Sequence, residues 1–214
     1  MFKRLIDCYC RGAKVRFHKM LGKYKYLTRE QCVYGIEISQ NGVYPVPCDT
    51  PANSNKDVFD IAKYLNAHQK RIPKAMLKAF AAKAATLKPA SSFSNFDEYF
   101  DYVAKNSGLK DGNCLLVYDY CLRTGYPDLV PEKYVYLFRG AREGAIAVLP
   151  KNVLAGKFRV PTKDLQAALG TTMSSMEIED FLCVCKAPLQ YLASSCTVAV
   201  CPSGGCGSSA SATK

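Results

Sequence analysis

Lys70, Lys74 and Lys78 recur every fourth residue, which on a continuous helix lines three ammonium groups along one face. A second group, Lys3, Arg4, Arg11, Lys14 and Arg16, crowds the start of the chain, where acids are rare up to Tyr26. Cations in this density hold phosphates by charge, with no proton to transfer and no bond to make. Other chemistries find less material. His18 and His68 are the only histidines, each isolated in a basic stretch. Cys183, Cys185, Cys196, Cys201 and Cys206 are dense enough for a metal, but paired Cys-x2-Cys knuckles are absent, so no metal site is read here. A Gly-rich phosphate loop and a paired-carboxylate motif are also absent, and no cofactor is expected.

The charge is unevenly placed. Residues 1–90 hold 17 Lys and Arg against 6 Asp and Glu, whereas residues 91–214 hold 12 against 12. The whole net charge of +11 therefore falls in the first 90 residues. Such asymmetry points to a polyanion partner, with nucleic acid ahead of an anionic membrane surface. The bland alternative is a solvated face that touches nothing. With 49% hydrophobic residues the chain can build a packed core. No stretch is apolar enough for a membrane span, and no export signal follows the opening residues. A cytoplasmic setting is expected, and with it reduced thiols for the 11 cysteines.

The elements that must carry these side chains read as mostly helical. Phe2, Leu5, Ile6, Tyr9, Ala13, Phe17 and Met20 form a helical stripe interrupted at Gly12, with Arg4, Arg11 and Lys14 mostly off it. Tyr34, Ile36 and Ile38 alternate ahead of Asn41-Gly42, which predicts a small β-hairpin returning through Val43 to Val46. Ser54 with Asp57 resembles a capping box before a helix, and Pro73 suits the first turn of another, with Met76, Phe80, Ala84 and Leu87 on one side. A kink at Pro73 would take Lys70 out of line with Lys74 and Lys78.

Ser94-Asn95-Phe96-Asp97, with Phe93 as a staple, opens a helix that runs to Gly108, and a second helix carries Cys114, Val117, Tyr118 and Cys121. Tyr134 to Phe138 reads as a strand. Gly140 and Gly144, four apart, predict two helices in close contact, and Arg139 and Arg142 beside them are further phosphate-contact candidates. Thr162 is placed to cap a helix ending at Gly170, and Ser174 with Glu177 to cap another that Pro188 stops. From Ser194 the chain turns to Ser, Cys, Gly, Ala and Thr, and residues 194–214 are expected to be a disordered tail.

The stretch from Phe96 to Thr124, two helices joined through Gly108-Leu109-Lys110-Asp111-Gly112, resembles a helix-hairpin-helix unit. The run on through Leu122-Arg123-Thr124-Gly125 and Tyr136-Leu137-Phe138-Arg139-Gly140-Ala141 to Ile178-Glu179-Asp180-Phe181 resembles uncharacterised bacterial proteins with such a segment, over residues 96–186. The resemblance implies phosphate held by backbone N–H groups, here those of Gly112 and Asn113, without base reading. It departs from the family in placing Asp111 where phosphate would approach. Helix-hairpin-helix DNA glycosylases also carry a catalytic Asp beyond the hairpin, sometimes with a Lys, and flip a base to reach it. That likeness would give the role to Asp128, Glu132 or Lys110.

Together these readings describe a mainly α, compact multi-helix protein. Residues 1–50 hold a basic helix and the hairpin, residues 54–190 a helical domain containing the segment 96–124, and the tail follows. The function expected first is phosphate binding to nucleic acid, DNA ahead of RNA, through Lys3, Arg4, Arg11, Lys14, Arg16, Lys70, Lys74, Lys78, Gly112 and Asn113. A glycosylase-like enzyme comes second, and a protein-interaction or scaffold domain with incidental charge third.

Overall fold

The computed structural model describes residues 2–35, 72–109 and 114–198. The described part is mainly helical, as the periodicity predicts. The first stripe becomes two helices, α1 (Lys3–Arg11) and α2 (Ala13–Tyr24), separated at Gly12. Then come α3 (Arg29–Tyr34), α4 (Lys74–Ala84), α5 (Phe96–Asn106) and α6 (Cys114–Gly125). Strand β1 (Tyr134–Tyr136) leads into α7 (Arg139–Ala145) and α8 (Lys151–Leu154). Strand β2 (Arg159–Pro161) and helices α9 (Thr162–Leu169), α10 (Ser175–Val184) and α11 (Lys186–Val198) complete the order. Among the described residues no helix is long and apolar enough to cross a membrane.

Local signals set several helix ends. Asn95 caps α5 by accepting the Glu98 N–H at 2.9 Å. In α10 the Glu177 carboxylate reaches back to the Ser174 N–H at 2.9 Å, as the Ser-x-x-Glu spacing predicts. Gly170 ends α9 with φ +65°, a left-handed conformation glycine adopts without penalty.

Several expectations need correction. Tyr34 does not begin a hairpin. It ends α3, which a Thr28/Gln31 capping box starts and Gly35, at φ +54°, stops. The rest of that predicted hairpin, from Ile36 to Val46, lies outside the described residues, as does the predicted Ser54 helix. The sheet that is described pairs β1 with β2 antiparallel, Val135 opposite Val160. Thr162 does not cap α9. It is that helix's first residue, and its hydroxyl donates to the Glu132 carbonyl at 2.9 Å. Pro188 does not stop a helix either, because it sits in the first turn of α11, where its missing N–H costs nothing. The predicted tail begins too early, since α11 continues through Ser194 and Ser195 to Val198, and residues 199–214 lie outside the described part.

Two apolar clusters fill the interior. One joins α2 to α6 around Leu77, Phe80, Phe100, Tyr118 and Tyr120. The other joins α1 to the strands and α7–α11 around Ile6, Val135, Leu165, Phe181 and Leu182. The short ribbon serves both, because successive strand side chains point to opposite faces. Tyr136 enters the first cluster, among the rings of Phe96, Phe100 and Tyr118, while Val135 and Leu137 enter the second. Each large side chain so buried contributes about 1.5–3 kcal/mol. Arg159 closes the aromatic side, its guanidinium 4.9 Å from the Tyr136 ring centre and paired with Asp101.

Helices α7 and α10 cross very closely. A Cβ added to Gly144 would stand 2.2 Å from the Leu182 carbonyl oxygen, and one added to Gly140 would stand 2.5 Å from Cys183 Sγ. The predicted close helix contact is therefore present, and its other wall is α10.

Candidate nucleic-acid interface

The basic side chains of the chain's start reach solvent because the apolar stripe of α1 and α2 faces inward. Phe2 just before α1 and Ile6 and Tyr9 on it are buried in the cluster that holds α10, and Leu21 and Tyr24 of α2 are buried in the other cluster. Turned the other way, Lys3, Arg4, Arg11, Arg16, Lys19 and Lys25 are all exposed. Asp7 is the one acid between Phe2 and Tyr26. Lys14 differs from its neighbours. Its Nζ lies 3.0 Å from Glu177 Oε1, so its charge is spent inside the protein.

Two polar ties fix the basic helices to the body. Tyr9 donates its hydroxyl to Asp180 Oδ2 at 2.8 Å and meets Phe181 edge-on. Burial, and then the Asp180 carboxylate, push the Tyr9 phenol up, so it stays a neutral donor. In α2, His18 is held at both ring nitrogens, with Nε2 2.8 Å from Glu177 Oε1 and Nδ1 3.1 Å from the Tyr126 hydroxyl. With Glu177 ionised, Nε2 carries a proton toward that carboxylate. Desolvation works to raise the Glu177 carboxyl, but the Ser174 N–H, Lys14 and His18 together outweigh it and hold it below the usual carboxylate range.

A carboxyl with a depressed folded-state pKa adds stability that is present above its unfolded value, near 4.3, and is lost as pH falls through the folded value. Glu177→Gln is expected to cost about 1.5–3 kcal/mol at neutral pH, the range for hydrogen bonds to a charged group. The gap to wild type should close as pH drops below about 4. Melting curves from pH 7 to pH 3 check this, and a gap that stays constant throughout would contradict it.

Other predicted site residues lie elsewhere. Lys74 and Lys78 are exposed on α4, which packs on α3. Lys70, Lys110, Gly112 and Asn113 are outside the described residues, so the hairpin turn of the helix-hairpin-helix likeness is too. What is described of that likeness is α5 packed on α6, with Gly108 at φ +74° after α5. Asp128 and Glu132 are both exposed, and the Glu132 carbonyl accepts from Thr162 and Ser175 hydroxyls. Arg139 is exposed beside Glu143 at 3.4 Å. Arg142 is turned to the carbonyls of Leu154 and Lys157, where it closes α8.

Nucleophilic thiol chemistry finds no support at the buried Cys32 and Cys185. Cys8, Cys10, Cys32, Cys121, Cys183 and Cys185 are free thiols. Burial pushes Cys32 up to about 12 and Cys185 up to about 11, far from the thiolate at neutral pH. Among the described residues no group of three His, Cys, Asp or Glu side chains is placed to hold a metal ion.

Sequence reasoning missed the His18, Tyr126 and Glu177 constellation and also Arg123, buried at 5% exposure against Asp119, the Cys32 carbonyl and the Tyr24 ring. Lys19 and Lys25 stand in the same basic run up to Tyr26 and join the exposed cations. Compared with known proteins, the chain matches no family model, no curated protein and no solved structure.

Proposed function

We propose that this chain is a nucleic-acid-binding module whose α1–α2 side holds phosphates through side-chain cations, DNA ahead of RNA. One observation carries the reading. Six exposed cations on α1, α2 and the residue just past α2 face solvent with Asp7 as the only acid among them in sequence, and among the described residues none of the six pairs with a carboxylate. A merely solubilising surface would mix signs, as the second half of the chain does with 12 against 12. Contacts of this kind set affinity and leave base sequence unread. Asp128 and Glu132, both exposed, add nothing that favours a glycosylase-like step.

The location of the charge is what the test must resolve. Arg16→Gln with Lys19→Gln should weaken binding to a short DNA oligonucleotide and flatten its dependence on log salt by up to about 1.4–1.8 units. Lys151→Gln with Lys163→Gln removes the same charge from exposed positions on α8 and α9 and should change both far less. Fluorescence anisotropy at several salt concentrations measures this. Equal effects of the two pairs would mean the α1–α2 side holds no special place.

A further inference from the structure

We infer that the α2 side also carries a phosphodiester-transfer site, where the Tyr126 hydroxyl attacks backbone phosphorus and His18 takes its proton; this rests on the phosphate-binding reading above. Three elements meet to build it. Tyr126 directly follows α6, and its N–H bonds the Leu122 carbonyl at 3.1 Å. His18 stands on α2 and Glu177 on α10, 159 positions apart in sequence. The Tyr126 hydroxyl lies 3.1 Å from His18 Nδ1, and His18 Nε2 lies 2.8 Å from Glu177 Oε1. Hydroxyl, imidazole and carboxylate in that order activate a weak nucleophile, the third group orienting the base.

The three groups differ in burial as such a relay requires. Glu177 is buried, and its oxygens are taken by Lys14, His18 and the Ser174 N–H, so the carboxylate is fixed and holds the ring with it. His18 and Tyr126 are only half-buried, at the edge of the basic side. Gly22 follows His18 by one helical turn, and a Cβ there would meet nothing within 4 Å, so the helix side beyond the imidazole is open. The step balances without a co-reactant. The bond formed joins Tyr126 Oη to phosphorus, and the bond broken is the one from phosphorus to the departing strand's ester oxygen. In the neutral imidazole a proton on Nε2 faces Glu177, so Nδ1 accepts the tyrosine proton and passes it to that departing oxygen. Attack by the same hydroxyl on the phosphotyrosyl ester rejoins the strand. Acyl transfer fits less well, because exposed cations such as Lys19 and Lys25 favour an anionic ester over a neutral one.

A phosphodiester without base sequence, thymidine 5′-(p-nitrophenyl phosphate), tests the site in the full chain. A burst of about one nitrophenolate per chain is expected, with the thymidylyl group found on Tyr126 by peptide mass spectrometry. Tyr126→Phe should abolish the burst and His18→Gln should slow it about 10²–10⁴-fold, with circular dichroism confirming that both variants are folded. Glu177→Gln removes the group that positions the ring. It should lower the rate constant of the burst and not its amplitude, whereas loss of folded protein would lower the amplitude. No burst, or a burst that Tyr126→Phe retains, would overturn the inference, and salt-sensitive DNA binding by the unaltered chain would then leave the phosphate reading standing. Absence of both burst and binding would overturn both. Acylation of Tyr126 by p-nitrophenyl acetate, with no reaction of the phosphodiester, would overturn it in favour of acyl transfer.

Discussion

Gly144→Ala should destabilise the protein by about 3 kcal/mol, the upper end of overpacking costs, and lower its melting temperature by about 6–12 °C. The added methyl would stand 2.2 Å from the carbonyl oxygen of Leu182 and 2.9 Å from its carbonyl carbon. Both obstacles are backbone in the last turn of α10, so no rotamer change relieves the clash. The helices must separate, and the cluster around Ala141, Ala145, Phe181 and Leu182 opens with them. Alanine's better helix propensity returns at most about 1 kcal/mol. Gly140→Ala provides the internal contrast. Its methyl meets the Cys183 thiol at 2.5 Å, a side-chain atom that can turn away. Cys183→Ala should therefore rescue Gly140→Ala and leave Gly144→Ala unrelieved, a difference in coupling that thermal melts of the two double variants measure. A Gly144→Ala protein that melts with wild type would show that α7 and α10 do not approach as described.

How far the sequence discloses this fold depends on the distance over which each signal acts. The Ser174/Glu177 capping box is legible because its two residues are three apart and bond each other. The Gly140/Gly144 pair is legible as a close contact, since two glycines on one helix face leave room for a backbone. Which backbone fills it was not legible, because α10 lies some forty residues on. Tyr34 was misread for a different reason. Its alternation with Ile36 and Ile38 suits a strand, but the Thr28 and Gln31 cap just upstream commits the chain to a helix that Gly35 then ends. The loss of large side chains after Leu192 suggests disorder from Ser194, yet the Ser194 and Ser195 hydroxyls bond back to the Tyr191 carbonyl within one more helical turn.

The site divides along the same line. The cations were visible as a basic run, and the apolar stripe beneath them correctly predicts that most point outward. Lys14 is the exception, because its partner Glu177 lies far along the chain. The same carboxylate holds His18 across 159 positions of sequence, and no local pattern announces such a pairing. Its consequence is physical. Glu177 binds α2 to the body through two of that helix's polar side chains, which keeps the remaining cations directed at solvent.

Removing those cations should have the largest effect on binding. Lys3, Arg4, Arg11, Arg16, Lys19 and Lys25 changed together to Gln take away six exposed charges and leave the buried stripe of α1 and α2 untouched. Glutamine is a comparable helix former, so melting should move little. The slope of log affinity against log salt should flatten by up to about 4 units on single strands and 5 on duplex DNA, from roughly 0.7 and 0.9 per phosphate neutralised. Affinity at low salt should fall by several orders of magnitude, across all sequences alike. The most direct test is the salt series on the unaltered chain itself. Log affinity for DNA should fall linearly with log salt, with a slope of several units that the sixfold variant loses. An unaltered protein whose binding at micromolar concentration is absent, or indifferent to salt, would contradict the account and reduce the basic face to a solvated surface.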